Sequence, residues 1–297
     1  MIRYPITKAE LEAAIETEAP GWLAKAKQKT AVFRKAKDFN EPASQNSWSD
    51  IKGVYMKLQH NKCVYCERVL GSPQFGKIEH DVEHYRPKNA VKVWPTAKMK
   101  SSGALNYPFS TGEASDNGYY LLAYSIFNYA TACKTCNSSF KSSYFPIAGA
   151  RNIHSSGFTK LKLEVPFLLY PLGSSDEDPE ALITFDGVIP VPKIKTGSKY
   201  QRARVTIDFF ALTRDDLLQR RAQILQYLWL AFLTLDDPQT TDQRREVAQR
   251  IIDLGISAKS EQAACARAFY QLCQQDRNLA ESYVEQAAQY LASLPNM

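Results

Sequence analysis

Four of the six cysteines fall in two CxxC pairs, Cys63/Cys66 and Cys133/Cys136. In a reducing compartment such pairs suggest a metal rather than disulfides, and four thiolates form the closed tetrahedral cage that Zn2+ occupies in structural sites. A site of this kind contributes on the order of 10 kcal/mol to folding, enough to hold a region whose own core is thin. It would pin the segment entering a strand region to the end of a helix near Cys133. Cys265 and Cys273 lie about two turns apart in an Ala-rich helical stretch, where the expected reading is small buried side chains.

Between the pairs, residues 78–88 carry Glu79, His80, Asp81, Glu83 and His84, two of the four histidines and three carboxylates in one short run. In a strand, alternate side chains share a face, so His80, Val82 and His84 point one way and Asp81, Glu83 and Tyr85 the other. Glu83 and His84 can then serve one site only if the strand ends or twists there, which Arg86-Pro87 allows. Around the second pair stand Asn128, Asn137, Lys134 and Lys141. Asn137 follows Cys136 directly, so metal binding would fix its backbone and aim its amide. A carboxylate, an amide oxygen and water are hard ligands suited to Mg2+ or Mn2+. A neutral histidine near its ordinary pKa of about 6.5 can accept a proton from water at neutral pH. Phosphodiester hydrolysis needs that base and a divalent ion to compensate the developing charge.

Taken in order, Cys63-Val64-Tyr65-Cys66-Glu67, then Glu83-His84-Tyr85-Arg86-Pro87-Lys88, then Asn128 after residues 119–124, then Cys133-Lys134-Thr135-Cys136-Asn137 with Lys141 downstream resemble the HNH endonuclease superfamily. More narrowly they resemble prokaryotic HNH proteins of restriction and anti-phage defence such as the Septu-type nucleases, which accompany an ATPase. The motifs span about a quarter of the chain.

The resemblance implies a ββα-metal element with a site that reads His-Asn-Asn. His84 matches the general base and Glu83 the acidic ligand of the catalytic ion. Asn128 matches the residue that positions the loop and the base, and Asn137 a second ligand. Lys88, Arg86 and Lys141 become candidate nucleic-acid contacts, with a solvent-facing lysine an equal reading of Lys141. His80 offers a second frame, but Arg86-Pro87-Lys88 completes the family-like string only after His84. His60 and His154 lack such neighbours and read as linker or surface histidines.

The elements that must position these residues follow from patterning. Thr7 to Glu10 forms a capping box opening a first helix, interrupted at Pro20-Gly21. A second helix over Trp22 to Lys37 carries Lys25, Lys27, Lys29, Arg34, Lys35 and Lys37, read as a solvated face. A short helix near Trp48 to Gln59 precedes the first knuckle. The centre reads as a strand at Lys77 to Tyr85, a polar loop from Pro87 to Gly118 and a helix through Tyr119 to Phe127, followed by a hairpin around Leu182 to Val191. From Tyr200 onward, apolar residues such as Leu217, Ile224, Leu225 and Leu228 recur at helical spacing. The fold class is α+β, mostly helical, with the HNH element and its zinc site embedded between N-terminal and C-terminal helical regions. The divisions expected are 1–60, 61–150, 151–199 and 200–297.

With 297 residues, 44% of them hydrophobic, the chain can bury a sizeable core. No apolar run spans a bilayer and the first residues lack a secretory signal, so a cytoplasmic protein with no membrane partner is expected. The net charge of +6 fits a polyanionic partner, and the expected substrate is DNA held through its phosphates, with Lys88, Lys92, Lys98 and Lys100 flanking the site. Trp94 in that loop is either an anchor or a base-stacking residue. No Walker loop is present, so nucleotide hydrolysis would belong to a separate ATPase partner. The competing readings are a non-catalytic zinc-containing nucleic-acid-binding subunit and an RNA-cleaving HNH toxin.

Overall fold

The computed structural model describes residues 1–71, 79–103 and 105–294. Lys77 and Ile78, where the expected strand begins, lie outside the described residues. The chain is mostly helical, with two small antiparallel sheets of two strands each among the described residues.

Helix α1 (Lys8–Glu18) opens on the capping box read from the sequence. The Glu10 backbone N–H donates to Thr7 Oγ1 at 3.2 Å and the Thr7 N–H to Glu10 Oε2 at 2.8 Å, satisfying two otherwise free donors. Gly21, in the left-handed region, breaks the chain into α2 (Trp22–Ala36). That helix buries Trp22, Ala26 and Phe33 and leaves Lys25, Lys27, Arg34 and Lys35 in solvent. A single 3-10 turn, Trp48–Ile51, leads into α3 (Lys52–Leu58).

Strand β1 (His80–His84) pairs antiparallel with β2 (Tyr129–Cys133), with His80 opposite Cys133 and His84 opposite Tyr129. All five residues of β2 are buried, so it shows no alternation of polar and apolar positions. Its outer edge is closed from outside the sheet. Gln59 accepts from the Thr131 N–H at 2.8 Å and donates to the Thr131 carbonyl at 2.8 Å, and the Val64 N–H reaches that carbonyl at 3.0 Å. The first cysteine knuckle is thereby docked on β2. Cys133 ends this strand rather than a helix, which corrects the sequence expectation. A single π-helical segment, Thr135–Lys141, follows.

The helix expected through Tyr119 to Phe127 is instead two 3-10 turns, Tyr120–Leu122 and Ile126–Asn128. Side chains take the carbonyls that a continuous helix would use. Asn128 donates to Leu122 at 3.1 Å, His84 donates to Ala123 at 3.1 Å, and the Tyr55 hydroxyl donates to Ile126 at 2.7 Å. The polar loop after Pro87 holds one short helix, α4 (Ala97–Ser101), capped by Thr96. Trp94 is buried against Phe209 and Tyr107 and acts as an anchor.

Short helices α5 (Phe158–Lys162) and α6 (Pro179–Leu182) precede the hairpin of β3 (Ile183–Asp186) and β4 (Ile189–Pro192). The rest is helical: α7 (Gly197–Phe209), α8 (Asp215–Asp236), α9 (Asp242–Ile256), α10 (Ala263–Gln275) and α11 (Arg277–Ser293). One apolar core joins α1 to α3, β1, β2, the 3-10 turns and α7. A second lies among α8 to α11 and takes in Cys265 and Cys273, both buried as expected. No helix among the described residues is long and apolar enough to cross a membrane.

Candidate active site and metal centre

The four knuckle cysteines are buried together, their Sγ atoms all within 4.8 Å of one another and those of Cys66 and Cys133 3.9 Å apart. Thiolates at about 2.3 Å from a tetrahedral centre stand about 3.8 Å from each other, so the cluster can hold a metal ion such as zinc. The turn of each knuckle is built for it. The Glu67 N–H donates to the Cys63 carbonyl at 3.0 Å, and the Cys136 N–H to Cys133 Sγ at 3.4 Å. With the thiols of Cys136, Cys63 and Cys66 turned on it, the Cys133 sulfur is held far below the ordinary thiol range, while burial pushes the Cys63 thiol up and the neighbouring sulfurs push Cys136 up. Arg214, between α7 and α8, was not singled out from the sequence. Burial opposes its charge, yet Cys66 and Cys136 nearby hold its guanidinium above the ordinary range.

β1 ends at His84, and Glu83 and His84 border one cavity of about 220 Å³ together with Trp48, Val82, Lys88, Asn137 and Ser143. Regular pairing runs through His84, the last residue of β1, and Val82, Glu83 and His84 all border this space at the strand end. The His84 ring sits between Trp48 and Tyr129, meeting each edge to face with centroids 4.9 Å apart. Its Nε2 lies 3.1 Å from the Ala123 carbonyl, which only accepts, so Nε2 carries the proton and Nδ1 keeps a lone pair. The Tyr129 hydroxyl donates to the same carbonyl. Burial, then Lys88, depress the His84 pKa well below the usual value, so the ring is neutral at neutral pH.

Glu83 is 3% exposed, and Lys141 Nζ stands 3.1 Å from its Oε1, in a direction that leaves this oxygen without a well-aimed hydrogen bond. Burial lifts the Glu83 carboxyl to about 7 against the pull of Lys141. Asn137 donates its Nδ2 to Asp81 at 3.0 Å, leaving its Oδ1 to offer, while Lys134 holds the other Asp81 oxygen at 2.6 Å. Glu83, the Asn137 amide oxygen and water are a donor set that fits a hard divalent cation.

Other expected site residues are placed elsewhere. Asn128 is buried and does not border this cavity, tying Arg86 to Leu122. Arg86 binds Glu164 at 3.1 Å and the Leu161 carbonyl at 3.0 Å and stacks on Phe145. Lys141 is 0% exposed. Lys141 is therefore not free to meet a phosphate from solvent, while Arg86, half-buried at the edge of a separate cavity, is held by Glu164 and Leu161. His80 is fully buried, its Nε2 at 3.3 Å from the Leu70 carbonyl, and does not border the cavity. Trp48 was given no role from the sequence, and Asp81 was named there only for its place on the strand. Only their position beside Asn137 and His84 marks them.

Over 207 residues the chain is 29% identical to Septu protein PtuB of Bacillus mycoides (strain KBAB4). The chain is similar to a Septu protein. The matched stretch covers 69% of this chain and 61% of the length of that relative. No family model matches the chain, and no solved structure matches it.

Proposed function

We propose that this protein is an HNH-type, metal-dependent endonuclease that hydrolyses DNA phosphodiester bonds in anti-phage defence. One observation carries the reading: Glu83, His84, Lys88 and Asn137 border a single cavity, with a neutral His84 whose free nitrogen is Nδ1. Similarity to a protein named for the Septu system supports the defence role. An ATPase partner that gates cleavage belongs to the same reading.

In this mechanism a water oxygen attacks phosphorus, its proton passes to His84 Nδ1, and the bond from phosphorus to the 3′-oxygen breaks. Trp48 and Tyr129 fix the plane of the imidazole and the Ala123 carbonyl fixes its tautomer. Lys88 faces the non-bridging oxygens. A Mg2+ or Mn2+ ion held by Glu83 and Asn137 would compensate charge on the phosphorane-like state and on the leaving oxygen. The four-cysteine site, holding Zn2+, keeps Asn137 and the end of β2 in register with β1. A basic group paired with a buried carboxylate in one cavity favours catalysis over a purely binding zinc module.

The test is cleavage of plasmid DNA, single-stranded DNA and RNA by the purified chain, alone and with its ATPase partner, in Mg2+, Mn2+ or EDTA. Wild type should cleave DNA with the divalent ion, and His84→Ala should lose at least about 100-fold in rate. Equal behaviour of the two toward every substrate would remove the enzymatic reading.

A further inference from the structure

The cavity beside His84 opens on an aromatic ledge. Trp48 borders the cavity, and Phe39 stands next to it with ring centroids 6.3 Å apart. Three of the four tryptophans, Trp22, Trp94 and Trp229, are 2%, 3% and 6% exposed, as residues that fill a core should be. Trp48 alone is left half-buried, and it is the one at the cavity. Phe39 is half-buried too, although both rings pack on the main core along one side.

Lys88 Nζ lies over both rings, 4.9 Å from the Trp48 centroid and 5.3 Å from that of Phe39. Burial lowers its pKa, so its charge is only partly hydrated there. Just before Phe39 in the chain, Arg34, Lys35 and Lys37 stand in solvent at the end of α2. The surface thus offers a cluster of cations at the end of α2, two half-buried rings with Lys88 over them, and the cavity.

We infer that Trp48 and Phe39 form a stacking platform for an unpaired base, so that the site takes single-stranded DNA. A cationic track with interleaved aromatic rings is the general means of holding a single strand, because every base has a π-face and every nucleotide a phosphate. A duplex keeps its bases stacked on one another and has none to give to the ledge. On binding, the base takes the ring faces and Lys88 moves from them to the adjoining phosphate. That exchange is favourable because base stacking on an aromatic ring outweighs a part-solvated cation–π contact. The position of the scissile phosphate rests on the nuclease reading above, but the platform itself is a statement about binding.

The experiment is fluorescence anisotropy of the full chain with no added divalent ion, so that cleavage does not enter. The probes are labelled (dT)12, a 12-mer of the same charge with abasic sites at every position, and a 12-base-pair duplex. Wild type should bind (dT)12 roughly 5- to 100-fold more tightly than the abasic strand. Trp48→Ala should abolish that preference, and Trp48→Phe, which keeps a ring, should restore most of it. Circular dichroism and metal content of Trp48→Ala, matched to wild type, show that the variant is folded; if it is not, a 5-iodouracil strand should photocrosslink to Trp48 or Phe39 of the wild type. Equal affinity for the (dT)12 and abasic strands overturns the platform, as does a crosslink found only elsewhere. Loss of cleavage in Trp48→Ala with the base preference intact also overturns it and leaves Trp48 a support for His84. Base-dependent binding here, with no DNA cleaved in the separate assay with divalent ion and ATPase partner, keeps the platform and removes the nuclease.

Discussion

Asn128 and Arg86 exchange two hydrogen bonds, the Arg86 N–H donating to Asn128 Oδ1 at 2.8 Å and Asn128 Nδ2 donating back to the Arg86 carbonyl at 3.0 Å. The same Nδ2 reaches the Leu122 carbonyl at 3.1 Å. One buried amide therefore ties the chain just beyond His84 to the turn whose Ala123 carbonyl sets the His84 tautomer. In the proposed mechanism Asn128 would act on His84 through these segments.

Asn128→Ala leaves those three backbone groups without their partner, and unsatisfied buried groups cost about 1–3 kcal/mol each before relaxation or water entry. A net loss near 3 kcal/mol is expected in urea unfolding. Asn128→Asp keeps the acceptor but loses both donations and sets a carboxylate against two carbonyls, so it should be no better. A shift below about 1 kcal/mol for the alanine variant contradicts the stapling role.

Glu83 and Lys141 are each nearly or fully inaccessible and face each other at 3.1 Å. Removing one partner strands a charge. Lys141→Met should therefore cost about 3–5 kcal/mol without added divalent ion, while Glu83→Gln combined with Lys141→Met recovers much of that loss. A double-mutant cycle measures the difference. Additive effects would show that the two groups do not depend on each other.

The cysteine cage was legible because thiolates at CxxC spacing have few other uses in a chain with six cysteines. The capping box at Thr7 and the short strand ending at His84 were legible because they are local patterns. β2 was not, since a strand buried on both faces has no period to read, and its edge is closed by Gln59, distant in sequence. The 3-10 turns after Tyr119 were missed for a related reason: Asn128, His84 and Tyr55 claim their carbonyls from elsewhere in the chain. The burial of Lys141 and the pairing of Arg86 with Glu164 are likewise tertiary facts, since residue type alone places both side chains in solvent.

His80 gives the pH dependence. Burial, its largest influence, depresses its pKa below the ordinary histidine value, so the folded chain declines a proton that the unfolded chain accepts. A depressed folded value means that this contribution to stability is present above the unfolded pKa, about 6.5, and is lost as pH falls below it. The slope is at most about 1.4 kcal/mol per pH unit for this one group. His80→Gln can still donate to the Leu70 carbonyl but does not titrate. Its stability should fall less than that of wild type between pH 7.5 and 5.5, measured by urea midpoints. Parallel losses in the two proteins would mean that His80 takes up its proton equally in both states.

Metal analysis should find about one zinc per chain, and Cys136→Ser should lose it together with cooperative unfolding, since the ion contributes on the order of 10 kcal/mol. Arg214 gives a finer test of the same site. Four thiolates around a divalent ion leave two net negative charges in a buried place, and Arg214, which also pairs with Asp216 at 2.8 Å, is a cation close to Cys66 and Cys136. Arg214→Gln keeps all four ligands but removes that compensation, and changes to groups around a metal's ligands typically cost about 10- to 100-fold in affinity. Zinc release to a chromophoric chelator should accelerate accordingly, with the folded baseline in circular dichroism unchanged before release. If Arg214→Gln holds zinc as tightly as wild type, the charge of the cage is balanced by solvent and the contact from the helical part of the chain is packing alone.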